Sequence, residues 1–194
     1  MNDETKSQIR SIIDVHKQMI AEMENTAVAT IAAAAEAIIK SLRNNGRVYI
    51  CGNGGSAADA QHIAGELIGR FESERTALPA VAITTDSSVI TAIANDVNFE
   101  NIFTRQVEAL VTKGDIFWAI STSGNSANVI SAAESAKQKD AVILAFTGKA
   151  GSKLEKLADI CLCAPNEKTA RSQEIHQLTY HIICKLVEED FTGD

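Results

Sequence analysis

Arg47-Val-Tyr-Ile-Cys-Gly-Asn-Gly-Gly-Ser56 is the stretch that decides the fold, because a short apolar run passes directly into a glycine-rich loop. A helix-sized segment begins after it, near Ala57. Glycines let the backbone approach a ligand closely, and the free N–H groups at a helix start suit a polar or anionic ligand. The loop has neither the Gly-Lys-Ser/Thr ending of a P-loop nor the G-x-G-x-x-G spacing of dinucleotide folds. The stretch predicts a strand, a ligand-binding loop and a helix, and the alternative is a plain tight turn.

Four further apolar runs repeat this pattern, and helix-sized segments separate them. Strands joined by such long crossovers are parallel, and right-handed crossovers place helices on both faces of the sheet. Ligands bind such folds where loops leave the carboxyl ends of the strands. The chain is therefore expected to be an α/β protein, a three-layer doubly wound five-stranded parallel sheet with strands at 47–51, 80–84, 115–121, 141–147 and 159–163.

A second loop, Ser121-Thr-Ser-Gly-Asn-Ser126, carries four hydroxyls in six residues. It follows a strand and precedes the predicted helix 127–137. Hydroxyls and N-terminal amides together can hold a phosphate without a cationic side chain. The alternative is a serine N-cap with unrelated neighbours. The net charge of −7 argues against a protein that tracks nucleic-acid phosphates, so an anion must be held locally.

Length and composition predict one domain over 1–194, in which 1–45 forms an N-terminal helical extension. The longest apolar stretch, 27–39, is too short to span a membrane and contains Glu36. The four cysteines form no C-x-x-C pair, and the N-terminus lacks an export signal. We therefore expect a cytoplasmic protein that binds neither membrane nor nucleic acid.

The first helix of that extension carries an apolar stripe at three- and four-residue spacing. It runs through Ile9, Ile12, Ile13, Met19, Ile20 and Met23. Packing of this stripe against another subunit is favoured, and packing against the chain's own core is the alternative. His16 lies on the stripe and is interpreted as a core or interface residue rather than a ligand.

Metal-ligating residue types occur on two predicted helices. His62 and Glu66 are four residues apart and share a helix face, so they predict either a metal pair or an exposed couple without function. On the last helix, spacing alone would pair Gln177 with His181, whereas His176 is assigned to packing or to support of the site. Arg70 either reaches the substrate or pairs with an acid.

Both loops, with the run Ser126-Ala-Asn-Val129 and the stretch Ala170-Arg-Ser-Gln-Glu-Ile-His176, resemble sugar isomerase (SIS) domains, and among these the phosphoheptose isomerase family. The resemblance covers about residues 27–187. It implies a flavodoxin-like SIS fold with extra N-terminal helices, and a homotetramer that converts D-sedoheptulose 7-phosphate to D-glycero-D-manno-heptose 7-phosphate. This phosphorylated seven-carbon sugar supplies bacterial ADP-heptose, and so heptose for lipopolysaccharide or capsule.

The resemblance also implies roles for individual residues. A zinc ion, or another divalent metal, would be bound by His62, Glu66, Gln173 and His181. Eight residues separate the last two, so Gln173 lies at the helix start or the site combines two chains. Glu66 and His181 would be the base and the acid of the proton transfer, in either order. The substrate would contact Asn53, Gly54, Gly55, Ser56, Glu66, Asn95, Asp96, Ser121, Thr122, Ser123, Ser126 and Gln173.

Two other functions remain open from the sequence. The segment from Arg70 to Asp96 resembles a SIS-family regulator that binds a replication initiator protein without catalysis. That branch lacks the glutamate that matches Glu66 and the histidine that matches His181, so the enzyme is favoured. An isomerase of another phosphosugar would share the loops but not the four metal ligands.

Overall fold

Five parallel strands form the centre of the fold in the computed structural model, which describes residues 2–148 and 150–193. The strand order is β2-β1-β3-β4-β5, the order typical of flavodoxin-like sheets. Both faces of the central strands are buried, as their continuous apolar runs require. All five predicted strands are confirmed: β1 Val48–Gly52, β2 Ala80–Ala82, β3 Ile116–Ser121, β4 Val142–Thr147 and β5 Ile160–Cys163.

Eight α-helices and a short 3₁₀ helix at Phe99–Asn101 are found in the described part of the chain. One face of the sheet packs against the first three helices and the last, and the opposite face packs against the others, so the layers number three. This confirms the predicted architecture. The helices are α1 Asp3–Thr26, α2 Val28–Arg43, α3 Gly55–Ile68, α4 Ser87–Asp96, α5 Thr104–Leu110, α6 Ala127–Gln138, α7 Lys153–Leu157 and α8 Thr169–Phe191.

The apolar stripe of α1 is divided between two environments. Met19 and Met23 are buried in the core below α2 and α8. Further towards the N-terminus the isoleucine side chains are open to solvent in this chain, with exposed fractions of 44% for Ile9 and 52% for Ile12. His16 Nδ1 lies 3.1 Å from a Glu174 carboxylate oxygen, which joins α1 to α8. The methionine part of the stripe therefore packs on its own core, and the isoleucine part stays about half exposed in the described part of the chain.

None of the helices in the described residues is both long enough and apolar enough to cross a membrane.

Candidate active site

A cavity of about 280 Å³ lies where the loops after β1 and β3 meet. These strands are neighbours in the sheet, so their carboxyl ends deliver both loops to one edge. Among the described residues, the lining contains no lysine or arginine. An anion in this cavity would therefore be held by hydroxyls and N–H groups. The lining residues are Asn53, Gly54, Gly55, Ser56, Ile120, Ser121, Thr122, Ser126, Thr169 and Gln173.

The serine-rich loop turns its hydroxyls towards one another. Ser121 Oγ lies 3.0 Å from Ser126 Oγ and 3.3 Å from Ser123 Oγ. Ser123 also accepts a hydrogen bond from the Asn125 N–H, and the described lining does not include it. Gly124 has a positive φ of 61°, and a Cβ there would lie 2.2 Å from Ser152 Oγ. Only glycine fits this tight turn, which brings the hydroxyls together at the start of α6.

An amide pair connects the two loops. Asn53 Nδ2 donates to Asn128 Oδ1, and Asn128 Nδ2 donates to Asn53 Oδ1, both at 2.9 Å. Asn128 is buried on the first turn of α6. Asn53 is a predicted sugar contact, whereas no role was predicted for Asn128, although Asn128 belongs to the Ser-Ala-Asn-Val run. The pair fixes the distance between the glycine loop and the serine loop.

Gln173 lies at the cavity, on the first turns of α8. A Cβ added to Gly55 would lie 2.3 Å from Gln173 Nε2, so the amide rests directly on the start of α3. His181 follows eight residues later, which corresponds to about 12 Å of helix rise. The placement of Gln173 at the helix start agrees with one of the two alternatives that its spacing left open.

Three of the four proposed metal ligands meet between α3 and α8. One ligand atom from each of His62, Glu66 and His181 lies within 4.8 Å of the others. His62 Nε2 and Glu66 Oε1 are 2.9 Å apart, and these side chains are 41% and 21% exposed. Zinc binds nitrogen and oxygen at about 2.0–2.2 Å, so two ligands of one ion lie at most ~4.4 Å apart. A small side-chain adjustment would accommodate the ion, and the group therefore fits a divalent metal.

Neighbouring side chains hold His62 and His181 in position. Tyr180 Oη lies 2.9 Å from His62 Nδ1, which leaves Nε2 directed at Glu66. Asp59 lies beside Tyr180, and burial raises the pKa of Asp59 to about 6, although the His62 ring and the Tyr180 hydroxyl oppose the rise. Phe71 packs on His181 with ring centroids 5.5 Å apart. No role was predicted for Asp59, Phe71 or Tyr180. Asp59 lies three residues before His62 on α3, so helix spacing could have indicated it. Tyr180 reaches His62 and Phe71 reaches His181 only through tertiary packing.

Burial and the nearby His62 ring lower the pKa of His181, while Glu66 opposes this effect. A neutral imidazole has a free lone pair that can bind a metal or accept a proton. The ring centroids of His62 and His181 are 5.0 Å apart. The two imidazoles therefore share one small volume with the Glu66 carboxylate.

His176 is a structural residue. It is completely buried, and its Nε2 donates to the Thr147 carbonyl at 2.8 Å. Burial lowers the pKa of His176 to about 4, against the effect of that hydrogen bond, so the ring stays neutral near pH 7. This agrees with the assignment of His176 to packing. Gln177, which spacing alone would pair with His181, is exposed. Arg70 forms an ion pair with Glu74 at 3.1 Å.

Asn95 and Asp96 lie apart from the cavity of their own chain. They end α4 and are exposed, and Asn95 Nδ2 donates to Asp96 Oδ1 at 2.8 Å. Neither belongs to the cavity lining among the described residues. No residue of α4 is buried. Their contact with the sugar therefore stays a prediction.

A cavity of about 280 Å³ whose described lining has no cationic side chain, beside a His/Glu group on an α/β sheet, is the arrangement of a phosphosugar-binding protein. The SIS domain family matches residues 13–148. The chain is 48% identical to the phosphoheptose isomerase of Helicobacter hepaticus, over 94% of this chain and 92% of the relative. It is 46% identical to that of Aneurinibacillus thermoaerophilus, over 97% and 94%. The chain therefore belongs to the SIS-domain proteins and, within them, to the phosphoheptose isomerase family.

Solved structures agree with this assignment. The structure of a phosphoheptose isomerase from Francisella tularensis superposes with a TM-score of 0.92 at 38% identity, over 97% of this chain and 100% of the other. That from Neisseria gonorrhoeae gives 0.90 at 40% identity, over 95% and 99%. The family resemblance and the SIS fold inferred from the motifs are confirmed.

Proposed function

We propose that the protein is an aldose–ketose isomerase that converts D-sedoheptulose 7-phosphate to D-glycero-D-manno-heptose 7-phosphate. The observation that carries the proposal is the pairing of a cavity whose described lining has no cationic side chain with a His/Glu group along the same two helices. The names of the relatives, which are phosphoheptose isomerases, support the substrate class.

The spacing between cavity and His/Glu group suits a phosphorylated seven-carbon chain. Gly55 begins α3 at the cavity, and His62 follows seven residues later, which corresponds to about 10 Å of rise. An open seven-carbon sugar with a terminal phosphate also reaches on the order of 10 Å, given bond lengths of about 1.5 Å. With the phosphate among the serine hydroxyls, carbons 1 and 2 would extend to Glu66 and His181.

Proton transfer at those carbons completes the reaction. One of Glu66 and His181 takes the proton from carbon 1 while the other protonates the oxygen on carbon 2, which gives an enediol. Returning a proton to carbon 2 and removing the one on oxygen 1 yields the aldose. Both groups share the same small volume, so one proton carrier can serve the two carbons. The geometry leaves the order of the two residues open.

A divalent metal, zinc in our proposal, would be bound by His62, Glu66 and His181. When bound it polarises the carbonyl and stabilises negative charge on the substrate oxygens. Nitrogen and oxygen ligands without thiolates suit zinc but also admit other divalent metals. Gln173 lies against Gly55, and about 12 Å of helix rise separates it from His181. We therefore propose that Gln173 contacts the substrate in its own chain and binds a metal only in a neighbouring subunit.

The remaining predicted contacts are proposals of the same kind. Asn53 would bind sugar hydroxyls, with Gly54, Gly55 and Ser56 offering backbone N–H groups and a hydroxyl. The phosphate would lie among Ser121, Thr122, Ser123 and Ser126. Asn95 and Asp96 would bind the sugar of a neighbouring subunit, since they lie apart from their own cavity.

We further propose a cytoplasmic homotetramer whose product enters heptose synthesis for lipopolysaccharide or capsule. The exposed isoleucines of α1 and the exposed Val97 just after α4 support assembly, because a second subunit would cover these apolar side chains. The residues 1–45 would then serve as an assembly extension of a single SIS domain.

A substrate screen with chelator tests the proposal. The purified protein should isomerise sedoheptulose 7-phosphate in preference to hexulose and aminosugar phosphates, and it should lose activity on metal removal and regain it with zinc. Glu66→Gln should cut turnover by about 10²–10⁴-fold. Glu72→Gln, at an exposed glutamate nearby, is the matched control. Near-normal turnover of Glu66→Gln would remove Glu66 from the mechanism.

A further inference from the structure

Two cysteines outside the candidate active site lie side by side on β5, an edge strand of the sheet. Their Sγ atoms are 3.7 Å apart, because residues two apart on a strand share one face. Cys161 and Cys163 are only partly buried, whereas Cys51 and Cys184 are buried. The proposed isomerase chemistry does not use this pair.

The environment makes the two thiols unequal. The Thr147 hydroxyl donates to Cys163 Sγ at 3.3 Å and lies 3.7 Å from Cys161 Sγ. Hydrogen bonds from Cys161 and Thr147 lower the pKa of Cys163, although partial burial opposes them. The hydrogen bond between the two thiols and burial raise the pKa of Cys161. The thiolate is the nucleophile in thiol–disulfide exchange. The closer Thr147 hydrogen bond therefore favours Cys163 as the attacking thiol, and Cys161 is placed to resolve the product.

Cys163 is also the thiol that a small molecule can reach. It lines a cavity of about 680 Å³, within the size range of small-molecule sites. The opposite wall comes from Glu22 and Thr26 of α1, and Lys168 lies at the cavity. A small disulfide that enters the cavity would meet Cys163 with Cys161 directly behind it.

We propose that Cys161 and Cys163 form a redox site at which a low-molecular-weight disulfide oxidises the dithiol of the folded protein to an intramolecular disulfide. The Cys163 thiolate attacks one sulfur of the small disulfide, and the first small thiolate leaves and takes up a proton. Cys161 then loses its proton and attacks the Cys163 sulfur, and the second small thiolate leaves. Two protein thiols are oxidised, and one small disulfide is reduced to two thiols.

Strand geometry predicts that this disulfide forms reversibly. Residues two apart on a strand have Cα atoms about 6.6 Å apart, and because their side chains leave the strand in parallel, their Cβ atoms are separated by a similar distance, beyond the about 3.5–4.5 Å that a disulfide spans. The disulfide therefore requires a local bend of β5, which is an edge strand. A disulfide that bends the strand is strained, and strained disulfides are the more readily reduced ones. The site would therefore respond to the thiol–disulfide balance of its surroundings rather than remain permanently oxidised.

Glutathione disulfide is the probe for the experiment. The native protein is incubated at pH 7, quenched with acid, alkylated and mapped by mass spectrometry. We expect a loss of two alkylatable thiols, a mass lower by about 2 Da and a peptide linked through Cys161 and Cys163, at a rate at least ~10-fold above that of Cys51 or Cys184. Excess reduced glutathione should restore both thiols.

Two variants distinguish the roles of the thiols, and the fluorescence of buried Trp118 verifies that each is folded. Cys161→Ser should hold a stable glutathione adduct on Cys163, and Cys163→Ser should react at least ~10-fold more slowly than wild type. The proposal is overturned if native protein keeps all four thiols, or if Cys51 or Cys184 reacts first. Equal rates for the two variants would overturn the assignment of Cys163 as the attacking thiol.

Discussion

Glu188 holds the loop at residues 71–73, next to the His/Glu group, and we expect Glu188→Gln to destabilise the protein strongly. Phe71 N–H donates to one carboxylate oxygen at 2.8 Å, and the N–H groups of Glu72 and Ser73 donate to the other at 2.7 and 2.8 Å. The Arg75 guanidinium lies 3.7 Å away, and both charged side chains are 1% exposed. This buried carboxylate on α8 thus fixes three consecutive N–H groups of the loop.

The magnitude follows from what an amide cannot accept. The glutamine oxygen can replace the carboxylate oxygen that serves Glu72 and Ser73, but its NH₂ group then meets the Phe71 N–H, donor against donor. Loss of one hydrogen bond to a charged acceptor costs about 1.5–3 kcal/mol. Arg75 also loses its buried counter-charge, and breaking a buried pair costs about 3–5 kcal/mol. The two costs overlap, so we expect a loss of about 3–5 kcal/mol in total.

Urea unfolding at fixed protein concentration, followed by the fluorescence of Trp118, measures the effect. Glu189→Gln is the matched control, because Glu189 is adjacent, 57% exposed and paired only loosely with Lys185 at 3.5 Å. Its change should stay below about 0.5 kcal/mol. Equal free energies of unfolding for the two variants would refute the role assigned to Glu188.

The pH dependence gives a second measurement. Burial raises the pKa of Glu188, but the N–H groups of Glu72, Phe71 and Ser73 and the charge of Arg75 outweigh burial, so the net pKa lies below the ordinary 4.5. A depressed carboxyl pKa stabilises the fold above the unfolded pKa, and that stability is lost as the pH falls through the folded pKa. The difference between wild type and Glu188→Gln should be complete at pH 7 and shrink below pH 4.5.

Two further predictions concern the phosphate and the assembly. Ser121→Ala should raise KM and the inhibition constant of inorganic phosphate about 10-fold or more, because Ser121 lines the cavity. Ser123→Ala should raise both constants less. If phosphate inhibits the Ser121→Ala enzyme as well as it inhibits wild type, the anion binds elsewhere. Ile12→Glu combined with Ile13→Glu should give smaller species in light scattering, with Gln8→Glu as the control for added charge. If the double variant forms an oligomer of the same mass as wild type, the isoleucine stripe of α1 is not buried between subunits.

The sheet and its loops could be predicted from sequence because their signals are local. An apolar β-branched run followed by glycines or serines specifies a strand and the loop at its carboxyl end, and parallel pairing then gathers these loops at one edge. The position of the cavity can therefore be predicted from the order of strands and loops in the sequence. His62 and Glu66 are equally local, since four residues of helix place them on one face.

The supporting contacts could not be predicted, because they join residues distant in sequence. Tyr180 meets His62 across 118 positions, and Glu188 meets Phe71 across 117. No periodicity within a segment reports which helix will lie opposite another. His176 shows the reverse situation, since its residue type suggests chemistry but its burial against the Thr147 carbonyl makes it structural. Tertiary packing, rather than local sequence, determines the role of each of these residues.

The proposed assembly would give the residues outside the cavity lining a common explanation. Asn95 and Asp96 end a helix in which no residue is buried, and Val97 beside them is 57% exposed. Apolar side chains near the His/Glu group, Ile68 on α3 and Ile182 on α8, are 50% and 38% exposed. Each of these partly exposed side chains would gain a fraction of the about 1.5–3 kcal/mol of full burial if a second subunit covered it. A second subunit that covered them would bring α4 towards a neighbouring cavity, so assembly and completion of the active site would be one event.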